Sequence, residues 1–198
     1  MCRAPTRLRL LSLALFLGVA PKPLAAQGYR FANIPWGSNA ATLKQLLADQ
    51  GLNFVEVDSE GDYKFKGSLY GYDAVLWGLM SNAGLAKFSI TLFTPDEKAR
   101  QVYRDMKATL SAKYGSPSQV VENYDAPYHE GDGHEEQAIR EDKAHFLVLW
   151  RQPVAKDTSF LGLQITEKLN LFLAYESPNW GTELDRRRAK KQKAHSPF

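Results

Sequence analysis

Apolar and polar positions alternate along this chain with two different periods. Between Ser38 and Gly51, Ala40, Leu43, Leu46 and Leu47 recur at helical spacing. Ser38 follows the turn Pro35-Trp36-Gly37 and is read as the N-cap. Gly51 supplies the left-handed stop, with Leu52 able to fold back on Leu47. A second helical stripe runs through Ala99, Val102, Tyr103, Met106 and Leu110. Thr94-Pro95-Asp96-Glu97 ahead of it has the form of a capping box with proline at the first helical position. Gly115 and Pro117 close it. Elsewhere the period is two. In Leu85–Phe93, Ala86, Phe88, Ile90 and Leu92 share one face, and Lys87, Ser89 and Thr91 the other.

The same pattern predicts strands over Asn53–Asp58, Tyr63–Tyr70, Ala74–Met80 and Leu85–Phe93 after the first helix. After the second it predicts Gln119–Tyr124, His145–Gln152, Phe160–Glu167 and Leu169–Glu176. Asp58–Asp62 and Glu167-Lys168 read as tight connections. Trp77 and Trp150, mid-strand among aliphatics, read as core. The fold class is α+β: two helix-plus-four-strand antiparallel units in pseudo-repeat, residues 30–93 and 94–178, with the helices packed on one face. Ala74-Val75-Leu76-Trp77 echoes Leu147-Val148-Leu149-Trp150, and Thr94-Pro95 echoes Ser177-Pro178. Two small sheets and one long sheet are both compatible with this order.

The head and tail of the chain alter what its charge means. Arg3, Arg7 and Arg9 precede an apolar run, Leu10 to Ala20, followed by small residues up to Ala26. This order is that of a secretory signal peptide over residues 1–26, and it predicts an exported, periplasmic or secreted protein cleaved near Ala26. The run falls short of the roughly 20 residues a membrane span needs. Four of the 25 basic residues and none of the 22 acidic ones lie in this leader. Six more bases lie in the tail: Arg186, Arg187, Arg188, Lys190, Lys191 and Lys193. The body between them, residues 27–181, is mildly acidic and lacks the basic surface of a nucleic-acid binder. The tail, residues 182–198, reads as a solvated, disordered basic segment able to touch anionic surfaces. Cys2 is the single cysteine and lies in the leader. The remaining chain therefore has no disulfide, thiolate metal site or cysteine nucleophile.

A small polar N-cap, a leucine-striped helix, a closing glycine and an antiparallel sheet carrying tryptophan are set out by Trp36-Gly37-Ser38, Leu43, Leu47 and Gly51. They recur in Tyr114-Gly115-Ser116-Pro117, Trp150 and Tyr175. This element order resembles the tandem modules of exported bacterial proteins of the SmpA/OmlA and beta-lactamase inhibitor protein kind. The resemblance implies a non-catalytic binder of other proteins. The chain departs from that group in having neither disulfides nor a lipid-anchor cysteine.

Ligand chemistry is densest in Tyr128–Glu136, which holds two imidazoles and four carboxylates. His129, Asp132, His134 and Glu135 are the candidate ligands for a divalent metal, since neutral imidazole suits zinc, copper or nickel. The spacing matches no metal template, and the plain alternative is a solvated acidic loop. Asp58-Ser59-Glu60-Gly61-Asp62 alternates carboxylates but lacks the closing glutamate of a calcium loop. Trp36 and Trp180, beside Pro and Gly at the two ends of the domain, are candidate binding anchors or plugs of the core. Tyr70, Tyr72 and Phe172 are candidates for a sticky outer sheet face. No G-x-S-x-G elbow, S-x-x-K or phosphate-binding glycine loop occurs. The expected function is a non-catalytic binding or envelope-assembly protein, its partner another envelope or secreted protein or a small ligand. The alternatives are a metal-binding or metal-dependent periplasmic protein using the His/Asp/Glu loop 129–136, and an inhibitor of an exported hydrolase; beyond such a divalent metal no cofactor is expected.

Overall fold

The computed structural model describes residues 28–151 and 159–195. The leader of residues 1–26 lies outside them. Four helices and eight strands follow in the order α1 (Ala40–Ala48), β1 (Leu52–Val57), β2 (Tyr63–Leu69), β3 (Tyr72–Ser81), β4 (Gly84–Phe93), α2 (Ala99–Tyr114), β5 (Gln119–Tyr124), α3 (Glu135–Arg140), β6 (Ala144–Arg151), β7 (Phe160–Ile165), β8 (Leu171–Glu176) and α4 (Trp180–His195). All eight strands form one antiparallel sheet in the order β1-β2-β3-β4-β8-β7-β6-β5. The protein is thus α+β with one long sheet. The seam is β4 against β8, where Ile90 faces Leu173 and Phe88 faces Tyr175.

Alternation sets the core. Leu76, Ile90, Leu173, Leu163 and Val148 lie in one row across five strands, and all are buried. The next such row holds Phe88, Tyr175, Leu161 and Trp150, also buried. Gly78 belongs to this row. A Cβ there would stand 2.8 Å from Leu43 Cδ2, so glycine lets α1 close on the sheet. Leu43 and Leu47 of α1 are buried, as are Val102, Tyr103, Met106 and Leu110 of α2, which lies against β7 and β8. Trp150 is fully buried and its Nε1 donates to the Gly115 carbonyl at 2.9 Å.

Three local expectations are corrected. The cap of α1 is Asn39, whose Oδ1 accepts the Thr42 amide at 2.9 Å, while the Ser38 hydroxyl donates back to the Pro35 carbonyl. No capping box forms at Thr94: its hydroxyl is drawn to the Leu169 carbonyl at 2.8 Å, and a short 3-10 helix, Asp96–Lys98, precedes α2. Leu169 is not in a strand; it sits in the β7–β8 turn at φ 57°, fully buried.

The tail is the largest correction. The expected disordered segment is helical as far as His195, because its charges are matched to the body. Arg187 Nη1 donates to Asp62 Oδ2 at 2.6 Å, and Nη2 to Asp62 Oδ1 at 2.8 Å and the Met80 carbonyl at 2.6 Å. Its Nε donates to Glu183 Oε1 at 2.8 Å. Lys190 pairs with Glu60 at 3.0 Å.

Candidate binding surfaces

Opposite the buried rows lie rows that remain half-exposed. Lys66, Val75, Thr91, Phe172, Gln164 and Leu147 form one across six strands. Lys64, Trp77, Ser89, Ala174, Gly162 and Leu149 form the next. The face mixes apolar Val75, Trp77, Phe172, Leu147 and Leu149 with Ser89, Thr91 and Gln164, and two lysines stand on β2, one strand in from the β1 edge. Lys64 Nζ lies 5.2 Å from the centre of the Trp77 ring, and Lys87 pairs with Glu176 at 2.7 Å. Two shallow grooves occupy the face. One, of ≈ 660 Å³, includes Thr91, His145, Leu147 and Gln164 in its wall. The other, of ≈ 530 Å³, includes Lys66, Asp73, Val75 and Phe93.

The candidate residues from the sequence separate in space. Phe172 stands on the open face. Tyr72 does not: it lies in the parity of Ala74 and Leu76 and packs on the core. Tyr70 is in the β2–β3 turn, 58% exposed, at φ 54°. Tyr70 and Tyr72 meet across a cleft of ≈ 240 Å³ whose other wall is Val102, Met106 and Leu110, with Asp105 and Thr109 also lining it. Trp36 is half-buried, its ring 6.1 Å from that of Phe88, and its Nε1 has no hydrogen-bond partner among the described residues. Trp180 is buried at the start of α4, with Lys87 Nζ 4.9 Å and the Arg187 guanidinium 5.5 Å from its ring centre.

The acidic segment folds on itself. Asp132 accepts the His129 amide at 2.9 Å and the His134 amide at 2.7 Å, one on each oxygen. These two backbone bonds hold its carboxyl below the usual range. Glu135 is not in a loop; it begins α3, pairs with Arg100 at 3.3 Å and accepts the Gly131 amide at 3.2 Å. Among the described residues no three of His, Cys, Asp or Glu are grouped to hold a metal ion.

Trp77 is the surface residue that sequence reasoning assigned to the core. Val75, Trp77 and Leu79 are as apolar as Ala74, Leu76 and Gly78, so alternation alone does not show which set faces the helices. The same holds for Leu147 and Leu149 against Val148 and Trp150. No helix among the described residues is long and apolar enough to cross a membrane. Comparison with protein-family models, curated proteins and solved structures returns no match.

Proposed function

We propose that this is an exported, non-catalytic binding protein that holds a partner protein on the open face of its sheet. One observation carries the reading: a half-exposed sheet face on which Val75, Trp77, Phe172, Leu147 and Leu149 are set among Ser89, Thr91 and Gln164, with Lys64 and Lys66 on β2 and Asp73 near the start of β3. Exposed aromatic and aliphatic side chains set among polar ones are the composition of protein interfaces. We read the two halves, α1 with β1–β4 and α2 with β5–β8, as one unit used twice, joined through β4 and β8. Both helices cover the same side, and on the other side α4 meets the sheet at Lys87, beside Trp180. Export rests on the order of the first 26 residues.

A photo-crosslinking residue at Phe172 tests the surface. In envelope extract it is expected to give a discrete protein adduct that the same residue at exposed Lys98 does not. Absence of an adduct from Phe172, Trp77 and Leu149 alike would remove the reading. Export is tested separately by intact mass: the protein recovered from its native compartment is expected to begin near Gln27.

A further inference from the structure

The cleft of Tyr70, Tyr72 and α2 lies on the other side of the sheet from Phe172. We propose that it receives an aromatic side chain of a partner protein that has a basic residue next to it. Size is the first argument. At ≈ 240 Å³ the cleft is smaller than the roughly 300–1,000 Å³ of sites that enclose whole small-molecule ligands, and suits a single ring. Its lining is the second. Tyr70 and Tyr72 offer flat faces, while Val102, Met106 and Leu110 offer an apolar floor. Methionine adapts to a ring and makes favourable sulfur–aromatic contacts. Aromatic anchors in such pockets dominate binding between proteins.

The backbone supplies an independent argument. Tyr70 and Gly71, at φ 54° and 82°, are the two central residues of the hairpin turn. The first of these positions favours Asn, Asp or Gly, and a bulky residue there is strained. A turn built for stability alone would carry asparagine. This one carries a tyrosine that lines the cleft. Strain of this sort gathers where a side chain is held for a ligand. Asp105 is the charged member of the lining and is exposed at its rim, with Gln101 Nε2 on one carboxylate oxygen at 2.7 Å. A cation beside the incoming ring complements it.

The test uses the full chain labelled at its methionine methyl groups, with acetyl-Lys-Trp-Lys-amide as probe. The Met106 resonance is expected to shift on titration while that of Met80, outside the cleft, holds still. Acetyl-Lys-Ala-Lys-amide is expected to leave Met106 unmoved, and acetyl-Glu-Trp-Glu-amide to bind about fivefold more weakly, the scale of one exposed charge pair. Tyr70→Asn is expected to weaken the probe by at least about fivefold without lowering the melting temperature, since it removes a wall and relieves the turn. Thr109→Trp, which fills the cleft from its exposed rim, is expected to abolish the shift. An unmoved Met106, or equal binding of the Lys and Glu peptides, would overturn the proposal. So would a Tyr70→Asn protein that melts lower and binds as before. Saturation by free tryptamine but not by the peptide would assign the cleft to a small aromatic amine instead. None of these outcomes bears on Phe172 and the open face.

Discussion

Arg187 is the clearest case of one side chain deciding a segment's structure. All three of its nitrogens are bonded, and its main partner, Asp62, is 4% exposed and also accepts the Met80 amide. Removing the guanidinium leaves a buried carboxylate without its cation. Arg187→Ala is therefore expected to cost about 3–5 kcal/mol in urea unfolding. Arg187→Lys should recover little, because an ammonium cannot reproduce the fork. Tyr103 is a second such residue. Burial, followed by the hydrogen bond and the charge of Glu122, pushes its phenol far above the usual range, and burial does the same to Tyr175. The folded protein keeps both protons while the unfolded chain releases them near pH 10, the ordinary tyrosine value. The stability they contribute is whole below about pH 10 and falls as pH rises beyond it. Urea midpoints between pH 8 and 11 are expected to show that fall, and Tyr103→Phe to make it shallower. Neither role was legible in the sequence, since both depend on partners 125 and 19 residues away.

At the scale of elements, periodicity found every strand and both amphipathic helices, with ends within a few residues. Where it missed, a competing hydrogen bond or a missing stripe is the reason. Ser38 and Asn39 are both good caps by type, and the choice between them is the geometry of one turn. Asn39→Ala is expected to cost about 1 kcal/mol and Ser38→Ala clearly less, read from thermal or urea unfolding. Thr94 looked like a cap because its neighbours fit a capping box, yet the β7–β8 turn offers it a carbonyl from 75 residues away. Helix α3 is six residues long and half of α4 is charged, so neither shows an apolar stripe. Ion pairs hold α4 instead. Glu183, whose carboxyl is kept below its usual range by the Arg186 hydrogen bond and then by Arg187, is part of that hold. Its contribution is present at neutral pH and is lost as pH falls through the carboxylate range. Amide protection within Glu183–Lys193, measured against the intrinsic exchange rate at each pH, is expected to fall in acid before that of the sheet.

For the whole molecule, the β4–β8 seam makes the two halves one core. A single unfolding transition is expected. Leu47→Ala in the first half and Leu110→Ala in the second should each lower that same transition by about 2–5 kcal/mol. Two resolved transitions, or a loss confined to one half, would contradict a shared core. The sequence by itself determined the element order, the α+β class, the core stripes and the leader-like head, because each is written in local periodicity or composition. Tertiary structure alone decided that eight strands make one sheet, which apolar parity faces water, that Tyr70 and Tyr72 meet α2, and that the basic tail docks as a helix. Those outcomes depend on strand pairing and charge pairing between residues far apart in the chain. Local pattern carries no record of them, because Val75, Trp77 and Leu79 are as apolar as the residues buried beside them.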